Sequence, residues 1–157
     1  MILDKLIPII GTIQTIRLRA NSCDEFILSL DVAGEPVNII LTQGTDVVDS
    51  IQMYQGMRIV AFYDGTAPVP LIYPPQYRAV VIAVLQQDES AALKYFDATL
   101  TAEDQSLRLN INPSTDITTH NGQVYTCNPG DNYLLVFYSV TTRSIPPQTP
   151  PNRIIIF

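Results

Sequence analysis

Apolar residues recur at every second position in short runs, and this alternation restricts the fold more than any other feature of the sequence. Between Phe26 and Val32 the even-numbered residues are Phe, Leu, Leu and Val, and between Val37 and Leu41 the odd-numbered ones are Val, Ile and Leu. A period of two places such side chains on one face of a strand. Ala33 and Gly34 separate the two runs. The two segments therefore predict a β-hairpin with one buried face.

Two neighbouring segments predict a first strand and a short helix. The run Ile9 to Leu18 is rich in Ile and Thr and contains Gly11, where the missing side chain permits the bend that a small barrel requires. Between Asp46 and Gln55 the apolar residues fall at helical spacing, and Gly56 follows. That spacing predicts a short helix or helical turn.

Two further strands complete a small barrel. They are predicted at Met57 to Tyr63 and at Tyr77 to Leu85, and the proline-rich loop Thr66 to Gln76 joins them. Three strands, a short helix and two strands give the order of a five-stranded Greek-key barrel of the OB type. A generic β-sandwich or meander is the alternative.

The second half of the sequence repeats this pattern in a shorter form. A first strand is predicted at Ala91 to Leu100, and apolar residues alternate between Leu107 and Ile111. Asn121-Gly122 predicts a tight hairpin turn with positive φ at both central positions. We therefore predict an all-β chain of two tandem OB-like, Greek-key, five-stranded small barrels, residues 1–87 and 88–157, with at most one or two short helices.

The strongest sign of duplication is a match at one constant offset. The match begins with a Phe-Tyr pair at the end of one predicted strand. It continues with a proline in the proline-rich loop and ends with an arginine in the next strand. These residues are Phe62, Tyr63, Pro75 and Arg78 in the first half and Phe137, Tyr138, Pro150 and Arg153 in the second.

Two long segments also carry a family resemblance. The first runs from Gly56 to Ala83 and contains Ile-Tyr-Pro-Pro at residues 72–75, and the second runs from Leu107 to Phe157 and contains Thr-Thr-Arg-Ser-Ile-Pro at residues 141–146. The chain resembles the tandem OB-like small-barrel proteins of unknown function found in clostridia and their relatives. This resemblance implies the fold, and it carries no activity that could be transferred residue by residue.

Charge and hydropathy narrow the function classes. The chain has 15 acidic and 9 basic residues, and the basic ones form no cluster. A net charge of −6 opposes binding of nucleic acids and other polyanions. No apolar run approaches the roughly 18 residues of a membrane span, and residues 1–10 make a poor signal peptide. We expect a soluble protein that is cytoplasmic as written, or secreted or on the cell surface if a leader was removed.

No set of residues predicts catalysis, a metal or a cofactor. His120 is the only histidine and precedes the Asn-Gly turn, so we expect it to be exposed. Cys23 and Cys127 fit no zinc-ligand spacing and are expected to be free thiols, although a disulfide between the halves is an alternative. The carboxylate pairs Asp24-Glu25 and Glu103-Asp104 are expected in solvated turns.

The two proline-rich loops are the candidate binding elements. Proline fixes φ and lowers the entropy of a free loop, so side chains are held ready for a partner. The candidate contacts are Tyr73, Tyr77 and Arg78 in the first half and Arg143 and Gln148 in the second. The alternative is that the loops cover the barrel ends or bury the junction between the halves.

These features predict a noncatalytic interaction or structural module whose loops bind a protein, peptide or saccharide. Single-stranded nucleic-acid binding through the barrel face and an enzyme of unrecognised type are the alternatives. Strand edges left by partly open barrels can pair between chains. We therefore also consider a homodimer formed through such an edge, with the final strand, which ends at Phe157, as the candidate.

Overall fold

The computed structural model describes residues 3–157 of the chain. These residues form two compact units, the first ending at Gln87 and the second beginning at Asp88. Both units are built from β-strands, and the described residues contain no helix beyond one short 3₁₀ turn. None of the described segments is a helix of the length and hydropathy that crossing a bilayer requires.

The first unit is a closed barrel of five strands. Strand β1 pairs antiparallel with β2 and β5, β2 with β3, and β5 with β6, while a parallel pairing of β3 with β6 closes the circle. The short strand β4 pairs parallel with β6. The bounds are β1 Leu6–Leu18, β2 Phe26–Val32, β3 Glu35–Leu41, β4 Asp46–Val47, β5 Arg58–Asp64 and β6 Gln76–Val84, with the 3₁₀ turn at Val48–Ser50.

Alternation along β2 and β3 fills the barrel interior, as predicted from the sequence. Leu28, Leu30 and Ile39 are fully buried in the core, where they meet Ile59 and Ile82 from β5 and β6. Each such side chain removes apolar surface from water and contributes about 1.5–3 kcal/mol. The predicted hairpin is confirmed, since β2 and β3 pair antiparallel, with Leu28 opposite Ile39.

Strand β1 serves two neighbours and bends between them. Residues 6–12 pair with β5 and residues 12–18 with β2. Gly11 lies at this change of partner, where a Cβ atom would be 2.7 Å from the Asp31 carbonyl oxygen and 2.9 Å from a Val32 methyl group. The predicted role of Gly11 therefore has a specific cause, which is the close approach of β2.

The short helix or helical turn predicted between Asp46 and Gln55 is confirmed only as a three-residue 3₁₀ turn at Val48–Ser50. Residues 46 and 47 are extended because they pair with Val81 and Ile82 of β6. The Thr45 hydroxyl caps no helix and donates to the Ala79 carbonyl at 3.1 Å. Only a three-residue 3₁₀ turn follows, with Asp49 at φ 64°. Long-range pairing thus overrides the local helical spacing.

The second unit has a four-stranded sheet in the order β7-β10-β12-β9 and a separate parallel pair of β8 with β11. Strand β12 is hydrogen-bonded on both sides, so it lacks the free edge that we expected of the final strand. The bounds are β7 Ser90–Phe96, β8 Arg108–Leu109, β9 Asp116–Thr119, β10 Asn132–Tyr138, β11 Gln148–Thr149 and β12 Arg153–Ile156.

Two predicted strands of the second unit are shorter than expected. The strand expected to reach Leu100 ends at Phe96, because a turn follows in which the Asp97 carboxylate accepts hydrogen bonds from Thr99 and Thr101. The alternation around Leu109 yields a strand of only two residues.

The strand pairing shows that the constant sequence offset between the two halves does not extend to the last strand. Phe62 lies opposite Val81, whereas Phe137 lies opposite Arg153. Arg153 therefore occupies the position of Val81 and not that of Arg78. The chain between the paired residues Phe137 and Arg153 is therefore three residues shorter than the chain between Phe62 and Val81.

We expect Gly11→Ala to destabilise the first unit by about 1–3 kcal/mol, because the added methyl group would meet the β2 backbone. Urea unfolding measures the change. Gly44→Ala is the matched control, since its Cβ would lie 3.6 Å from the nearest side-chain atom, an ordinary contact. Equal stability of the two variants would contradict the close approach.

Candidate functional site

A groove of about 580 Å³ opens on the surface of the first unit beside the proline-rich loop. Its size falls in the range of small-ligand and peptide sites. Five parts of the barrel form it: the beginning of the β1–β2 loop, the end of β3 with its following turn, the end of β5, the β5–β6 loop and the first half of β6.

Two stacked tyrosines form the aromatic part of the groove. The ring centroids of Tyr63 and Tyr77 are 4.2 Å apart with 28° between the ring planes. Tyr63 lies opposite Ala79, and the register shifts between Phe62 and Tyr63. Tyr77 is two residues before Ala79, so both rings lie on the same face of the β5–β6 pair as diagonal neighbours. The bulge thus places one ring against the other.

The stack changes the titration of Tyr63. Desolvation raises the pKa of the Tyr63 phenol above its ordinary value of 10, and the charge of Tyr77 and a hydrogen bond with the Tyr77 phenol raise it further. The Tyr63 phenol is therefore neutral at physiological pH, and a hydrogen bond joins it to the Tyr77 phenol.

The wall of the groove is the β5–β6 loop, and its start is fixed by Asp64. The Asp64 carboxylate accepts hydrogen bonds from the Thr66 backbone N–H at 2.9 Å and the Thr66 hydroxyl at 2.6 Å. These bonds lower the pKa of Asp64. Ala67, Pro68 and Pro70 then line the groove. Proline restricts the backbone of this wall, which limits the entropy lost when a ligand binds.

The two arginines that line the groove differ in whether their charge is paired. Arg19 donates to the Glu25 carboxylate at 2.9 Å, so its charge is paired. Arg78 is exposed, and its guanidinium makes no hydrogen bond or ion pair with any residue of 3–157. The amide of Gln76, which also lines the groove, is likewise unengaged among the described residues. The groove therefore offers one free cation and one free amide.

Of the residues predicted for the first loop, two line the groove. These are Tyr77 and Arg78, whereas Tyr73 lies at the exposed tip of the loop with 76% of its surface accessible. Leu71 beside it is fully exposed. The tip is thus an apolar projection next to the groove.

The residues predicted for the second loop belong to the second unit. Arg143 is exposed. Gln148 lies in β11, where its side-chain oxygen accepts a hydrogen bond from Asn110 at 3.1 Å and its backbone N–H donates to the Thr142 hydroxyl at 3.0 Å. Gln148 therefore links β8 and β11 and is not a free contact residue.

Sequence reasoning missed Tyr63, Arg19 and Gln76 as groove residues. In the sequence Tyr63 stands out only as part of the repeated Phe-Tyr pair. Its role depends on the bulge that aligns it with Tyr77, and no sequence pattern signals that bulge. Arg19 could have been found from its position directly after the first predicted strand, since that loop borders the ligand face of an OB-type barrel.

His120, the only histidine of the sequence, lies in a hydrogen-bonded turn. His120 is exposed in the predicted turn, which Gly122 closes by donating its N–H to the Thr119 carbonyl at 2.9 Å. Only Gly122 has positive φ, so the expectation of positive φ at Asn121 is wrong. The His120 ring lies 5.9 Å from the Phe157 ring. The Thr119 hydroxyl holds this turn, since it donates to the Asn121 side-chain oxygen and accepts from the Gln123 backbone N–H.

The cysteines and carboxylates likewise form no site within residues 3–157. Cys23 and Cys127 are free and exposed. Asp24 accepts from the Gln43 amide at 2.7 Å, and Asp104 pairs with Lys94 at 2.5 Å. No group of three or more His, Cys, Asp or Glu side chains converges among the described residues.

Comparisons with known proteins add nothing to this description, since no family model, curated protein or solved structure matches the chain.

We expect Tyr77→Phe to lower the pKa of the Tyr63 phenol, because the hydrogen bond and the second titrating phenol are removed while the desolvation remains. Folding raises this pKa, so the associated stability is present below pH 10 and is lost as pH rises through the folded value. A pH titration followed by ¹³C NMR of labelled tyrosine rings measures the shift. Tyr54→Phe, at an exposed tyrosine outside the groove, is the control, and an unchanged Tyr63 pKa in Tyr77→Phe would contradict the stacked geometry.

Proposed function

We propose that the chain is a noncatalytic binding module that holds a peptide, protein segment or saccharide in the groove of its first unit. The observation that carries this proposal is the stacked pair Tyr63 and Tyr77 beside the unpaired guanidinium of Arg78. Ligand sites are concave and mostly apolar with a few polar groups that fix orientation. The groove has this composition.

We further propose that the first unit is an OB-like barrel. In favour is the strand order around the barrel, β1-β2-β3-β6-β5, in which the third and last barrel strands pair in parallel. OB-type barrels bind ligands at the face bordered by the loops after their first and fourth strands. Here those loops contribute Arg19 and Pro68 to the groove. The proposed site thus coincides with the face that this architecture uses.

The tandem arrangement and the resemblance to clostridial-type tandem OB-like proteins are also proposals. A repeated turn supports them. Thr45 accepts a hydrogen bond from the N–H three residues earlier and donates to the Ala79 carbonyl. Thr115 makes the same two bonds, the second to the Pro151 carbonyl. Such a shared device at the start of β4 and β9 favours duplication of one domain.

A second correspondence concerns the parallel pairing. Asn38 lies opposite Gln76 in the first unit, and Arg108 lies opposite Gln148 in the second. The Asn38 N–H donates to the Pro75 carbonyl and the Arg108 N–H to the Pro147 carbonyl, both at 2.8 Å. In each unit this proline directly precedes the paired glutamine. The second unit is, on this proposal, a reduced barrel whose second strand is represented only by bridges at Thr101 and Ala102.

The noncatalytic part of the proposal depends on chemistry. A general base must be held in a fixed geometry within hydrogen-bond reach of its substrate. The titratable carboxylate at the groove, Asp64, is already engaged by Thr66 and its pKa is lowered. A carboxylate of lowered pKa is a weak base at neutral pH. These facts favour binding without turnover.

We expect Ala67→Trp to abolish ligand binding, because the indole would fill the groove without removing a core side chain. Labelled protein is applied to peptide and glycan arrays, and each positive spot is then measured by fluorescence anisotropy. Affinity should fall at least about tenfold for a ligand that loses its apolar contacts. Ala98→Trp, at an exposed alanine of the second unit, is the matched control.

Two results would contradict the proposal. One is that every ligand found binds Ala67→Trp as tightly as the unchanged protein, which would place binding elsewhere. The other is turnover of a substrate that depends on Asp64 or His120.

We expect no binding of a labelled oligothymidylate of about twenty nucleotides, even at low salt, because the net charge of −6 repels a polyanion. Filter retention over a salt series measures this. Retention at low salt that falls steeply as salt rises would instead favour the single-stranded nucleic-acid alternative.

A further inference from the structure

We infer that the groove binds an extended, proline-containing peptide segment that carries one carboxylate. This inference rests on the proposed function and names the chemistry of its ligand. It follows from four features of the groove: its apolar lining, the stacked tyrosines, the pairing of the bordering strands, and the Arg78 guanidinium, which has no partner among residues 3–157.

The lining favours an apolar chain over a sugar. Ile40, Val69, Ala79 and Val80 line the groove together with the prolines of the loop. Saccharides require many hydrogen-bonding partners, because each hydroxyl left unpaired on burial costs free energy. Few free polar groups are present here, since Asp64 is engaged by Thr66. An apolar segment loses little on entering such a groove.

The tyrosines favour proline in particular. Tyr63 and Tyr77 stack on each other at 4.2 Å, are only partly buried and both line the groove, so parts of this aromatic pair face a ligand. Grooves lined by aromatic side chains bind polyproline II segments, whose backbone is already extended before binding. Phenol hydroxyls and the Gln76 amide are hydrogen-bond donors for carbonyl oxygens, which a polyproline II chain leaves free.

Closure of the barrel disfavours another mode of peptide binding. Strand addition requires an unpaired edge of several residues. Of the strands that border the groove, β5 pairs with β1 and β6, and β3 pairs with β2 and, at Asn38–Ile40, with β6. On this side of β6 two residues, Ala79 and Val80, separate the pairing with β3 from the pairing with β4. A peptide in the groove therefore binds through side chains and single hydrogen bonds, as polyproline II segments do.

The charge of the ligand follows from Arg78. Its exposed guanidinium has no partner among the described residues, whereas Arg19 is paired with Glu25. A guanidinium binds a carboxylate through two parallel hydrogen bonds. One free cation matches one carboxylate, and the net charge of −6 disfavours a ligand with more negative charge.

A small peptide set tests the inference. The parent is Ala-Pro-Leu-Pro-Pro-Leu-Pro-Ala with a fluorescent label and one Glu placed at each non-proline position in turn. Every Glu peptide has a Gln twin, and a second series replaces all prolines with Ala. We expect at least one Glu peptide to bind, its Gln twin to bind about tenfold more weakly, and the Ala series not to bind.

Arg78→Gln gives the decisive comparison. With this variant the Glu and Gln twins should bind equally weakly, because the partner of the carboxylate is gone. Arg17→Gln is the matched control, since Arg17 is an exposed arginine of the same unit that only contacts the Ser29 hydroxyl. It changes the net charge equally and should keep the tenfold preference for Glu.

The outcomes separate the inference from the proposed function. If no peptide of the set binds but a saccharide or another peptide does so in a manner blocked by Ala67→Trp, the inference is overturned and the proposed function stands. Equal binding of Glu and Gln twins to the unchanged protein also overturns the inference. If no ligand on any array is sensitive to Ala67→Trp, both are overturned. Self-association blocked by Ala67→Trp would identify a second copy as the occupant and overturn the inference.

Discussion

The parallel pairing of β3 with β6 is the contact on which the first unit depends. It joins Asn38, Ile39 and Ile40 to residues 76–78, which lie almost forty positions later in the chain. The pairing closes the barrel and thereby satisfies the backbone groups of both strands. It also fixes Tyr77 and Arg78, which belong to the closing residues themselves. The groove and the closed barrel therefore form together.

The groove combines a rigid wall with rigid aromatic side chains. Prolines restrict the loop, Asp64 fixes its beginning through Thr66, and strand pairing fixes its end. Tyrosine offers a large contact area with few rotatable bonds. A site of this kind loses little conformational entropy when a ligand binds. Modest contact area can then give useful affinity, which is consistent with the binding role that we propose.

Much of the first unit could be predicted from the sequence, because its central hairpin follows a strict period of two. The segment around Asp46 could not, since the hydrogen bonds that hold it extended come from β6 and Ala79, which local spacing does not report. The candidate site was found in part. Tyr77 and Arg78 lie beside a recognisable proline-rich loop, whereas the contribution of Tyr63 arises from a register shift in the ladder. Bulges of this kind depend on tertiary packing and leave no composition signal.

The difference in length between the two proline-rich loops has a consequence for engineering. In both units the strand before the proline-rich loop pairs antiparallel with the strand after it, although the chain between Phe137 and its partner Arg153 is three residues shorter than the chain between Phe62 and Val81. Loop closure entropy changes slowly with length, so such a segment tolerates insertion when both of its ends are fixed. Leu71 in this loop is fully exposed. A foreign recognition sequence grafted there would be displayed on a stiff support, next to a groove that could be reshaped independently of it.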